Sequence, residues 1–145
     1  MPEKLNYDTL IIENVGQALT AETDGANGTV LTGVCAVFGQ RNNNRRVYEK
    51  EEYLPHLSYL NKQISQNSLT GDLDHPAQFD VTLKSASHLI TELRHDGQDR
   101  VFIKLRLLEN MPNGRLAKAL MDGGVRLSIS SRAAGKVNES TGYVK

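Results

Sequence analysis

Along most of the chain, apolar positions alternate or run together in short β-type stretches; in two segments they recur at helical spacing. Thr9–Val15 (TLIIENV) reads as a short strand with an undefined end. Thr29–Phe38 (TVLTGVCAVF) is rich in β-branched and small apolar residues and reads as a buried strand. Between them, Gln17–Gly28 holds Thr, Asp, Gly and Asn at the density of turns. Val81–Arg94 and Arg100–Glu109 read as two strands joined through Asp96–Gly97, a favoured hairpin dipeptide. In the second, Val101, Ile103, Leu105 and Leu107 fall on one face, which is therefore core. Val125–Arg132 alternates as well. It sets Val125, Leu127, Ile129 and Ser131 on one face and Arg126, Ser128, Ser130 and Arg132 on the other.

Helical spacing is confined to Glu49–Gln66 and Pro112–Asp122. In the first, Tyr53, Leu57, Leu60 and Ile64 make one stripe, with Glu49, Glu51 and Glu52 in the first turn, where the helix dipole favours acids. Pro55 is tolerable there only because it comes early. The second places Leu116, Ala119 and Leu120 on one side and ends at Gly123–Gly124, a pair suited to a C-cap. The fold class that follows is α+β: a mainly antiparallel β-core with two helices packed outside it.

The chain has 145 residues, a length that favours one domain over residues 1–145. Seventeen Lys and Arg balance seventeen Asp and Glu. That zero net charge argues against a nucleic-acid-wrapping protein and removes a general attraction to anionic membranes. No apolar run approaches the roughly 20 residues of a membrane span, and MPEKLNYDTL is not of signal-peptide type, so a reducing cytoplasm is the default. The lone Cys35 excludes an internal disulfide and a multi-thiolate metal cage, and reads as a small core hydrophobe. Arg41, Arg45 and Arg46 read as a solvated loop, His56 as an ordinary surface or half-buried histidine, and His88 as structural. No cofactor is expected.

Two segments carry candidate chemistry. Thr70–Pro76 (TGDLDHP) gathers Asp72, Asp74 and His75 ahead of a proline that holds His75 in extended backbone. Histidine is the usual general base near neutral pH; a polar turn is the plainer reading of the same residues. A metal set of Asp72, Asp74 and His75 is weaker, because no second histidine completes a ligand spacing. In Val125–Gly135 (VRLSISSRAAG), serines lie beside arginines, as acyl transfer would need. Alternation favours Ser128 or Ser130 over Ser131 as a nucleophile.

Three blocks together resemble the prohead maturation proteases of tailed bacteriophages: NNNRRVYEKEEY (Asn42–Tyr53), TGDLDHP (Thr70–Pro76) and GGVRLSISSRAAG (Gly123–Gly135). They are similar to that family's N-x-R-x-Y-P loop and helix, its G-E-L-x-H-P histidine motif and its G-V-S-S-R-G serine motif. The resemblance covers roughly residues 30 to 135 and implies a closed, assemblin-like β-core flanked by helices. By motif position, His75 would be the base and Ser130 the nucleophile. Ser128 is the alternative nucleophile, in an L-S-I context. Arg132 would support the oxyanion, with Asp72 or Asp74 as supporting groups. Asp72 replaces the usual Glu, Glu49 the usual Pro, and Ala133 a common Gly, a change expected to restrict an oxyanion loop. Relatives continue past the serine strand, so a chain ending at Lys145 is expected to lack their last strands and, if it lies there, a third catalytic residue.

The function so implied is a serine endopeptidase of head maturation. It would cut after a glutamate with an aliphatic residue two positions before it, in the host cytoplasm inside the assembling prohead. Scaffold or core proteins and the major capsid protein would be substrates, self-association is a further expectation, and neither nucleic acid nor membrane is a partner. The competing reading is an inactive capsid or core component that keeps the protease fold, favoured by Ala133 and the chain end. A metal-dependent hydrolase ranks below both.

Overall fold

The computed structural model describes residues 9–24, 28–41, 47–73, 83–135 and 143–144; at 9–18, 23–24, 130–135 and 143–144 it is the backbone alone that is described. In chain order the elements are β1 (Thr9–Ala18), β2 (Thr20–Asp24), β3 (Gly28–Val37), β4 (Val47–Tyr48), α1 (Lys50–Ser65), β5 (Thr70–Asp72), β6 (Ala86–His95), β7 (Arg100–Leu107), α2 (Pro112–Asp122), β8 (Ser128–Gly135) and β9 (Tyr143–Val144). Five strands form an antiparallel sheet in the order β2-β3-β7-β6-β5. β1 and β8 pair antiparallel beside β3, and β4 pairs with β9 in parallel. Among the described residues the large sheet is open, and no ladder joins it to the β1–β8 pair. The mixed α/β fold with an antiparallel sheet and two helices therefore stands, whereas a closed barrel goes beyond these ladders.

β7 lies at the centre and shows why alternation is legible. Val101, Ile103, Leu105 and Leu107 are all buried, with Leu105 1% exposed, while Lys104 between them is exposed. They join Leu31, Phe38, Leu57, Leu93 and Ala117 in one core. Each large aliphatic side chain buried there contributes about 1.5–3 kcal/mol. α1 buries Leu57 against this core, and Asn61 ties the helix to β6 by donating from Nδ2 to the Leu93 carbonyl at 3.1 Å. The hairpin between β6 and β7 turns at Gly97 (φ 83°), with Asp96 Oδ1 accepting the amides of Gln98 and Arg100.

Four local expectations change; the strand expected over Val81–Arg94 begins only at Ala86, after a 3₁₀ turn at Leu83–Ser85. The polar stretch after Val15 is not all turn: β1 runs on to Ala18 and Thr20–Asp24 forms β2. Thr20, Ala21 and Glu22 are exposed, so its composition is that of a solvated edge strand rather than of a loop. The helix α2 does not bury Leu116, Ala119 and Leu120; Leu116 is 50% exposed, and the buried positions are Gly114 and Ala117. Small residues win because the helix lies tight on the strands. A Cβ at Gly114 would run into the Leu108 carbonyl. Finally, the last long strand starts at Ser128 rather than Val125 and continues to Gly135. Val125 donates instead to the Leu120 carbonyl and stays exposed, finishing the turn after α2.

Candidate active site

The histidine segment begins as β5, three residues at the edge of the large sheet, with Asp72 half-buried at its end. Asp74 and His75 lie outside the described residues, and with them the Asp72–Asp74–His75 metal set. Neither described helix is long and apolar enough to cross a membrane.

The β5–β6 ladder is irregular at this point. Gly71 pairs with His88 and Asp72 with Ala86, which leaves Ser87 as an extra residue in a bulge on β6. A bulge breaks the alternation of side chains, and here it turns two neighbours toward each other. Ser87 is fully buried, and its hydroxyl lies 2.7 Å from His88 Nδ1 and 3.4 Å from the Gly71 carbonyl. The His88 ring occupies the space a side chain at 71 would take, since a Cβ there would strike Nε2. Burial pushes His88 down to about 4 from its ordinary value of 6.5, against an opposing pull from the Asp72 charge. The ring is therefore neutral at pH 7. The structural reading of His88 holds as far as its burial, but the pattern alone could not show that it sits on the glycine of the TGDLDHP block. Cross-strand register decides that, and alternation does not encode register.

The serine segment is β8. Thr9–Asn14 pair residue by residue with Gly135–Ser130, so Ser130 faces Asn14 and Arg132 faces Ile12. The next pair is Ser128 with Ala18, with surplus residues of β1 bulged between them. Ser128 is exposed and Ile129 packs on the core. Ala133 pairs with Ile11 within this ladder. Among the described residues β5 and β8 share no ladder. What they share is the core, on which Leu73, directly after β5, and Ile129 both pack.

Cys35 is the bulged residue of β3, between the Val34–Phe102 and Ala36–Val101 pairs, and burial pushes its thiol up to about 12. A thiol held protonated in this way is a poor nucleophile, in keeping with its reading as a core residue.

The fold is mixed α/β with an antiparallel sheet and two helices, and Ile129 of the serine-bearing strand and Leu73, the last described residue before the histidine, both pack on its core. Residues 10–145 match the family model described as prohead core protein serine protease, and the chain belongs to that family. It is 26% identical over 156 residues to the prohead core protein protease of Enterobacteria phage T4, an alignment covering 96% of this chain and 73% of that protein. It also shares its fold with the solved bacteriophage T4 capsid assembly protease, at a TM-score of 0.76 and 23% identity, over 94% of this chain and 89% of the other. The protein is thus a serine protease of phage prohead assembly.

Proposed function

We propose that this protein cleaves scaffold or core proteins and the major capsid protein inside the assembling prohead, within the host cytoplasm, with Ser130 as nucleophile and His75 as general base. The observation that carries the function is the family match, which spans the histidine and serine blocks alike. His75 would take the proton from the Ser130 hydroxyl as it attacks the scissile carbonyl. It would then return that proton to the leaving amine, while Arg132 supports the developing oxyanion. Asp72 or Asp74 would orient or stabilise the charged imidazole. Two further features support the site. Both motif strands meet a bulge in their partner, β6 opposite Gly71–Asp72 and β1 opposite Ser128–Ser130, and bulges are over-represented where side chains must be re-aimed. The closed β-core and single domain of the family reading, a preference for glutamate before the cut, and self-association belong to the same proposal.

Cleavage of a purified prohead core protein by wild type, Ser130→Ala, Ser128→Ala and His75→Ala tests it. Loss of cleavage in Ser130→Ala and His75→Ala, with Ser128→Ala active, supports the assignment. Loss in Ser128→Ala with Ser130→Ala active moves the nucleophile to Ser128. Equal cleavage by all four removes the mechanism.

A further inference from the structure

We propose that His88, seated over Gly71 and bonded to Ser87, is a positioning residue that fixes the end of β5 from which the chain runs on to His75. This rests on the assignment of His75 as the general base. Asp72 closes β5 and His75 follows three residues later in the chain, so a displacement at 71–72 is carried along the chain toward His75. β5 is too short to hold itself by its ladder alone. It has three residues, on the outer edge of the sheet, and its pairing with β6 is interrupted by the bulge at Ser87.

What holds it is packing from β6. Cross-strand partners project to the same face, so the His88 ring stands where a side chain at 71 would project, and glycine leaves it room. The extra residue Ser87 brings its hydroxyl to Nδ1 at 2.7 Å and fixes the ring's rotation. The charged group acting on the ring is Asp72 from β5; the facing residue of β7 is Leu107 and the neighbours on β6 are Ser87 and Leu89, none of them charged. An aliphatic side chain would fill this volume without the cost of burying a polar ring. An imidazole locked by a hydroxyl adds orientation that an aliphatic cannot. Gly71 within TGDLDHP then has a physical reason, as the seat of the ring.

The test compares wild type with His88→Leu, which keeps bulk and loses the Nδ1 bond, and Ser87→Ala, which deletes one hydroxyl and leaves the ring. Gly71→Ala and the double variant Gly71→Ala/His88→Ala probe the contact itself. Cleavage of a purified core protein gives kcat and KM for the folded proteins, and the ring signal of isotope-labelled His75 is titrated by NMR in each. Small misplacements of a catalytic group cost up to about a hundredfold in rate. The expected result is a fall in kcat of about tenfold to a hundredfold in His88→Leu and Ser87→Ala, with KM within about twofold of wild type. The His75 titration moves in both, and the double variant is no worse than Gly71→Ala alone. Unchanged kcat and an unmoved His75 titration in folded His88→Leu and Ser87→Ala overturn the proposal. If His75→Ala cleaves like wild type, the general-base assignment fails by itself. The titration then still decides the positioning claim, a moved signal supporting it and an unmoved one overturning it.

Discussion

The strand that leads to the histidine and the strand that carries the serines are held by different means. β8 is eight residues long and pairs with β1 through an unbroken run from Ser130 to Gly135, so its course is set by backbone hydrogen bonds. β5 is three residues long, and what orders it is a set of buried side chains on β6. A ladder tolerates most side-chain changes but not loss of a backbone donor. A packed ring tolerates neither a neighbour's extra methyl group nor loss of its own hydrogen bond. The two halves of the proposed catalytic pair should therefore fail to different substitutions.

The largest effect expected is on rate. Ser130→Ala and His75→Ala each remove one member of a unit and should lower kcat by about 10⁴-fold or more, with thermal unfolding little changed. Core side chains come next. Leu105→Ala, at the centre of β7, should cost about 2–5 kcal/mol in denaturant unfolding. On the serine side, proline at Ile11 or Ile12 tests the ladder. Neighbouring amides of a strand point to opposite edges, so one of the two substitutions should cost about 3 kcal/mol and the other far less. Equal effects would mean that β8 is not held by its ladder.

On the histidine side the test is pH. His88 has a folded pKa of about 4 against 6.5 for an unburied histidine. Below pH 6.5 the unfolded chain takes up a proton that the folded chain refuses. Stability is therefore undiminished above about 6.5 and falls as the pH drops toward 4, by on the order of 3 kcal/mol from this group. His88→Leu should flatten that part of the curve, and an identical slope would show that the ring is not buried neutral. The smallest effect is Asn61→Ala. It removes a bridge from α1 to β6 and should cost about 1 kcal/mol in unfolding without touching rate.

Much of the sheet was legible because burial on one face writes a period of two. Val101, Ile103, Leu105 and Leu107 are the clear case, and both helices fall within a residue of their expected bounds. Where burial is absent or two-sided the pattern fades. Thr20–Asp24 looked like a turn because it is an edge strand with Thr20, Ala21 and Glu22 exposed, and the apolar side of Leu116, Ala119 and Leu120 did not mark the buried face of α2, where close packing is made by Gly114 and Ala117. Of the candidate site, the family resemblance carried by the histidine and serine blocks is shown by the match over residues 10–145, while the roles of their residues stand as a proposal. The seat of His88 on Gly71 was not legible. It depends on a bulge and a register between strands more than a dozen residues apart, which no local spacing records.

The central claim is that Ser130 is a hydroxyl activated by His75. The most direct measurement is labelling with a fluorophosphonate reagent, which modifies serines activated as nucleophiles, followed by peptide mapping of the adduct. The account predicts an adduct on Ser130 in wild type and in Ser128→Ala, and none in His75→Ala. An adduct on Ser128 in wild type, or equal labelling of Ser130 with and without His75, would contradict it.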